Sequence, residues 1–335
     1  MAKVAINGMG RIGRAAFKII LETPELELVA MNDLMDLDNL AYLLKYDTVY
    51  GRYGKSVAVE GNNLVVDGKA YPVYKEKDPT QLPWGKLGVQ AVFECTGVFT
   101  KGGDLEKHLQ AGAQLVFLSA PPKTDDVCCI VHGVTTPEKG TRIISCASCT
   151  TNCITPVFEV MARRIGVRKA IMTTIHAYTS SQAIVDGPAK KWRRGRAGAA
   201  NFVPTSTGAA KATTNALPQF HGKFDGVAVR GPVPCGSLAD LVFLTERPTT
   251  VEEVNHIFRE EAAGDRYRGI MGVAEDPIVS ADIIMDSRAS VVDLEMTQVV
   301  DGDLVKIMTW YDNEWGYTNQ MIREARRSLQ ELGML

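Results

Sequence analysis

Short apolar runs alternate with amphipathic stretches through the first half of the chain. Val4-Ala5-Ile6 precedes a glycine-rich turn and a helical pattern from Arg11 to Leu21, and Leu26 to Met31 reads as a strand ending in Asn32-Asp33. Buried-strand candidates recur at Val89 to Cys95, Ala113 to Leu118, Ile130-Val131 and Arg142 to Ser145. Strands interleaved with helices predict a mostly parallel, doubly wound α/β sheet. Asn62-Asn63 and Asp67-Gly68, with alternating apolar residues from Leu64 to Val73, predict a β-hairpin inserted in that domain.

The texture changes after Cys149. A helical period runs to Arg164, and Lys169 to Ile175 reads as a strand ending in His176. A Gly- and Arg-rich segment from Tyr178 to Asn201 has little periodicity, the mark of a functional or interface loop. The later strands, Val227 to Val229, Leu238 to Leu244, Val291 to Leu294 and Leu304 to Tyr311, lack regular intervening helices in their pattern. They predict a mixed or antiparallel sheet in a second, α+β domain. A helix from Thr318 to Leu332 closes the chain. The expected division is residues 1–148 with 313–335 for one domain and 149–312 for the other.

Composition narrows the class. The 335 residues suit two domains, and 45% hydrophobic with 23% charged residues excludes a disordered chain. Lys plus Arg (37) nearly balances Asp plus Glu (39), which argues against a dedicated nucleic-acid binder. No apolar run approaches the ~20 residues of a membrane span. The start shows no signal-peptide layout, and seven cysteines lack framework spacing, so the expectation is a cytoplasmic protein without structural disulfides.

Asn7 to Gly13 holds a G-x-G-x-x-G string between a strand and a helix. Its glycines permit a tight turn and let N–H groups approach a pyrophosphate at the helix start. Asp33, at the end of the second strand, stands where a carboxylate accepts from ribose hydroxyls and repels a 2′-phosphate. The expectation is a Rossmann-type cofactor domain that prefers NAD and uses NADP more weakly.

Ser145 to Cys153 contains Cys146, Cys149 and Cys153. Three readings stand for them: a partial iron–sulfur spacing, buried thiols that only pack, and a nucleophile. For the third, Cys149 sits at a strand-to-helix junction, where a helix N-terminus favours thiolate, and His176 is the candidate base. No metal is expected. Lys190 to Arg196 gathers five basic residues around Trp192, which fits either nucleic acid or a subunit interface.

Five strings then decide the kinship: Asn7 to Arg14 (NGMGRIGR), Ala147 to Asn152 (ASCTTN), Ser206 to Ala212 (STGAAKA), Arg230 to Pro234 (RGPVP) and Trp310 to Tyr317 (WYDNEWGY). In this order the chain resembles the phosphorylating glyceraldehyde-3-phosphate dehydrogenases. The resemblance implies that Cys149 is the catalytic thiol and His176 its base, with a thioester intermediate. It implies NAD contacts from Gly10, Arg11, Ile12, Asp33, Lys77, Ser119 and Asn313. Ser148, Thr150, Thr207 and Gly208 resemble the site for inorganic phosphate; Thr179 and Arg230 resemble that for the phosphate of glyceraldehyde 3-phosphate. It further implies a cytoplasmic homotetramer serving glycolysis and gluconeogenesis, with the loop that begins at Gly187-Pro188 and carries Lys190 to Arg196 at the subunit interface. Departures include Ser180-Ser181 for a frequent Asn-Asp, Gly231 for a usual Val, and an additional thiol at Cys235. The alternatives are a dehydrogenase for another phosphorylated aldehyde, such as erythrose 4-phosphate, and a redox-sensing or RNA-binding relative without turnover.

Overall fold

The computed structural model describes residues 1–335, which divide into two compact units. Met1–His132, Thr136–Ala147 and Thr318–Leu335 form the first; Gly133–Thr135 and Ser148–Tyr317 form the second.

The first unit is built on a nine-stranded sheet. Counted along the chain, its main parallel strands are Ala2–Asn7, Leu26–Asn32, Lys69–Tyr74, Ala91–Glu94, Leu115–Leu118 and Ile143–Ser145. Their spatial order is 3-2-1-4-5-6, the doubly wound arrangement whose ligand crevice opens where the order reverses, beside strand Ala2–Asn7. The predicted hairpin is present as Asn63–Val66 paired with Lys69–Tyr74, and Val57–Glu60 extends it. Asp67 and Gly68 both take positive φ, 47° and 78°, as a two-residue turn between twisted strands requires. Ile130-Val131 is not a strand. The edge strand is Cys128–Cys129, and both apolar residues are buried just beyond it, with Ile130 N still bonded to Ser145 O at 2.8 Å.

The second unit carries a seven-stranded mixed sheet. Strand Val167–Ala177 lies parallel to Phe224–Gly231 on one side and antiparallel to Ser237–Thr245 on the other. Helix Cys149–Arg164 packs on this sheet through Phe158, whose ring lies 4.7 to 5.3 Å from those of Phe220, Phe224 and Phe243. Strand alternation puts Met172, Thr174 and His176 on the buried face. A regular helix, Val251–Ala263, does intervene between the later strands, contrary to the pattern-based expectation. Thr250 caps it by accepting from Glu253 N, and Thr-x-x-Glu before apolar Val254, Ile257 and Phe258 is a helix-start signature. The closing helix begins at Trp315, not Thr318, because Asp312 Oδ1 accepts from the backbone N–H groups of Glu314 and Trp315. No helix is long and apolar enough to cross a membrane.

Candidate active site

In the first unit the glycine turn sits at the crevice. Gly8 has φ +94°, and a Cβ there would stand 2.6 Å from Thr96 N. A Cβ on Gly13 would stand 1.9 Å from Gly8 O, so the helix approaches its own turn as only glycine allows. Gly10 is the N-cap of helix Arg11–Leu21, and its side-chain position is open space. The N–H groups of Arg11 and Ile12 belong to the first helical turn, which has no intrahelical acceptor. The Arg11 guanidinium instead pairs with Asp47 at 2.6 Å. Asp33 Oδ2 accepts from Met9 N (2.5 Å) and Oδ1 from Met35 N (2.7 Å), which aims the carboxylate across the turn. Lys77 is exposed beyond strand Lys69–Tyr74, whose Tyr74 O receives Asp33 N. Ser119 follows strand Leu115–Leu118, with its N–H on Glu94 O at 3.0 Å. A helix start at the crevice, glycines that close the turn and an aimed carboxylate fit a dinucleotide.

In the second unit, Ser148 caps helix Cys149–Arg164 through Thr151 N (3.1 Å), and so also shapes the nucleophile's turn. Cys149 Sγ lies 3.4 Å from His176 Nε2. Ala177 O lies 2.7 Å from His176 Nδ1, so Nδ1–H donates there and the Nε2 lone pair faces the sulfur. The parallel register sets Arg230 opposite His176. Arg230 Nη1 donates to Ala177 O at 2.9 Å, whereas its Nε is buried without a partner. Burial pushes the Cys149 thiol up, and Arg230 with Thr150 pulls it back. Burial, then Arg230, lowers His176 to about 3. Burial thus works against charge on both the thiol and the ring, and Arg230 favours the thiolate while opposing the imidazolium.

Thr150 directs its hydroxyl to Tyr311 OH (2.9 Å), which also meets Thr174 Oγ1 at 2.9 Å. Thr179 Oγ1 bonds Ser181 Oγ at 2.8 Å, and Arg194 reaches both Ser181 Oγ (3.3 Å) and Thr205 Oγ1 (3.1 Å). Arg196 turns away to Asp186 (2.6 Å), so Arg194 is the loop's inward cation. Thr207 Oγ1 accepts from Ala209 N, and Gly208 is the N-cap of helix Ala209–Ala216. Asn313 is buried and accepts from Ser237 Oγ at 2.9 Å. Cys235 bonds Asp312 Oδ1 at 3.3 Å, a structural position. Sequence reasoning assigned no role to Tyr311 or Thr205. Tyr311 lay inside the Trp310 to Tyr317 string; nothing in the pattern marked Thr205.

Residues 2–102 match the family model described as glyceraldehyde 3-phosphate dehydrogenase, NAD binding domain, and residues 148–313 match its C-terminal domain. The chain belongs to the glyceraldehyde 3-phosphate dehydrogenase family. It is 48% identical over 323 residues to glyceraldehyde-3-phosphate dehydrogenase 1 of Bacillus subtilis, covering 96% of each chain. It has the same identity and length of match to the glyceraldehyde-3-phosphate dehydrogenase of Geobacillus stearothermophilus. The Zymomonas mobilis glyceraldehyde-3-phosphate dehydrogenase is 43% identical over 334 residues, 98% of this chain and 99% of its own. Kinship to the glyceraldehyde 3-phosphate dehydrogenases therefore spans both units.

Proposed function

We infer that this chain oxidises D-glyceraldehyde 3-phosphate with NAD and inorganic phosphate to 1,3-bisphosphoglycerate, through a cysteine hemithioacetal and thioester. The observation that carries the reading is the 3.4 Å approach of Cys149 to His176 at a helix start, beside an arginine with an unpartnered buried N–H. The protein is an NAD-dependent oxidoreductase of glycolysis. The names of the relatives favour neither another phosphorylated aldehyde nor a role without turnover.

Cys149 Sγ adds to the aldehyde carbon, and its proton passes through His176 Nε2 to the carbonyl oxygen, giving the hemithioacetal. Nε2 then takes that hydroxyl proton as hydride leaves the carbon, and a thioester remains. NAD supplies the hydride acceptor. A phosphate oxygen attacks the thioester carbon, and the sulfur leaves as thiolate and regains a proton from His176. Arg230 and Thr179 hold the substrate phosphate by charge-assisted bonds, with Arg194 and Ser181 alongside. Ser148, Thr150, Thr207 and Gly208 receive the attacking phosphate. Gly10, Arg11, Ile12, Asp33, Lys77, Ser119 and Asn313 hold NAD, and the functional division proposed, 1–148 with 313–335 for the cofactor and 149–312 for catalysis, differs from the compact units at 133–135, 148 and 313–317. NADH formation from the aldehyde, with and without phosphate, tests the reading; Cys149→Ser should abolish it while NAD still binds. Turnover in that variant would move the nucleophile to Cys146 or Cys153.

The assembly proposed is a cytoplasmic homotetramer. Ile171 and Val227 on the sheet's other face are exposed, as are Ile184 (89%) and Trp192 (90%) of the long loop. Seven free cysteines suit a reducing compartment. No dedicated nucleic-acid role is proposed for the basic loop, because Lys191, Arg194 and Arg196 bond within it or to the adjoining strand. Ile171→Asp should lower the mass measured by light scattering; an unchanged mass excludes that face.

A further inference from the structure

Beneath the glycine turn runs a buried polar chain that no step of the reaction uses. Glu94 and His108 are wholly buried. Trp84 Nε1 donates to His108 Nδ1 (3.1 Å), which leaves the ring proton on Nε2, 3.1 Å from Glu94 Oε2. Oε2 also accepts from Asn7 Nδ2 (2.5 Å), and Oε1 accepts from the backbone N–H (2.8 Å) and hydroxyl of Thr96. All four neighbours donate, a setting that an acceptor-only carboxylate satisfies. Asn7 Oδ1 accepts from Asn32 Nδ2 (2.7 Å), which also donates to Glu76 O (2.9 Å), while Glu76 N donates to Asn32 Oδ1 (2.8 Å).

The strand register explains where this chain leads. Asn7 is paired with Asn32 on one side and Glu94 on the other, at the ends of three adjacent parallel strands. Gly8 follows Asn7, Asp33 follows Asn32, Thr96 stands two residues past Glu94, and Lys77 follows Glu76. The Cβ clash that forces glycine at position 8 is with Thr96 N, the amide that Glu94 holds. Four loops at this end of the sheet are thus tied to one buried side-chain network. Such a network, fully satisfied, fixes a single arrangement of its members. An apolar filling of the same space would close the sheet but leave the loop heights free.

We propose that Trp84, His108, Glu94, Asn7 and Asn32 are a positioning array that sets the relative heights of the four cofactor-facing loops and thereby the affinity for NAD. The inference rests on the reading that these loops hold NAD. Asn32→Ala cuts the array between Asp33 and the glycine turn; Glu94→Gln puts an N–H among donors.

In the intact protein, each folded variant should raise the NAD dissociation constant, read by fluorescence titration, by about tenfold. KM for NAD should rise alike, while KM for the aldehyde and the alkylation rate of Cys149 without NAD stay within about twofold. If Glu94→Gln does not fold, Asn32→Ala, changed at a strand end, decides. An unchanged NAD affinity in a folded variant overturns the proposal, as does a parallel fall in thiol reactivity. Failure of the unmodified protein to bind NAD would instead remove the reading beneath it.

Discussion

Arg230 Nη1 stands 2.9 Å from His176 Nδ1, on the nitrogen opposite the one that faces Cys149. Burial and this fixed charge both oppose a proton on the ring, which is why His176 is lowered to about 3. An anion bound at Arg230 cancels part of that charge. Substrate phosphate, if held there as proposed, would make the base more able to take a proton at the moment the thiol must lose one.

His176→Asn should lower kcat by about 10²–10⁴, the scale of a lost general base. Iodoacetamide should also alkylate Cys149 more slowly at neutral pH, with the profile moved to higher pH, because a buried thiol then lacks an acceptor for its proton. An unchanged profile would show that the helix start alone sets the thiol's reactivity.

Arg230→Gln should raise KM for glyceraldehyde 3-phosphate by about 10- to 100-fold, since a charge-assisted bond contributes roughly 1.5–3 kcal/mol. Unphosphorylated glyceraldehyde is the control. Its kcat/KM should fall far less, and an equal loss for both aldehydes would reassign Arg230 from phosphate to the base.

Glu159 gives a prediction about stability. Burial pushes its carboxyl up, but Arg163, Tyr267 and Arg266 outweigh burial and hold it below the usual range. Tyr267 OH donates at 2.6 Å and Arg266 Nη1 at 2.8 Å. A depressed carboxylate stabilises the fold above its unfolded pKa of about 4.3, and that contribution is lost as pH falls through the folded value. Glu159→Gln should cost about 1–3 kcal/mol at pH 7. The gap in Tm to the parent should shrink as pH falls below about 4. A gap constant with pH would mean that the loss is packing and not charge.

The α/β pattern, the Asp67-Gly68 hairpin turn and the helix beginning at Cys149 were legible because each rests on local chemistry: period, turn residues, a serine cap. The helix Val251–Ala263 was legible too, in Thr250 and Glu253, but the strand pattern around it drew the reading away. The edge at Ile130-Val131 was not legible, since two apolar residues are buried equally well in strand or coil. Thr205 and the inward turn of Arg194 depend on a loop fold that no periodicity records. Nor could Glu94, His108 and Trp84 be joined from sequence, because strand register brings Glu94 beside Asn7 while helix packing brings His108 and Trp84.

Cofactor choice should follow from Asp33, on the proposed NAD site. Both of its oxygens already accept backbone N–H groups, from Met9 and Met35, so the carboxylate is held in place before any ligand arrives. Ribose hydroxyls bound there would donate to the remaining lone pairs, whereas a 2′-phosphate offers no donor and brings like charge. Unit like charges ~4 Å apart cost about 4 kcal/mol at an effective dielectric of 20. Exposed Lys77 offsets only part of the repulsion across solvent. The unmodified protein should therefore prefer NAD clearly in kcat/KM and retain measurable, weaker use of NADP. Asp33→Gly should narrow the gap from both sides, weakening NAD through lost ribose contacts and relieving NADP. Equal efficiency with both cofactors in the unmodified protein would overturn this account and point to Lys77 as a ligand for the 2′-phosphate.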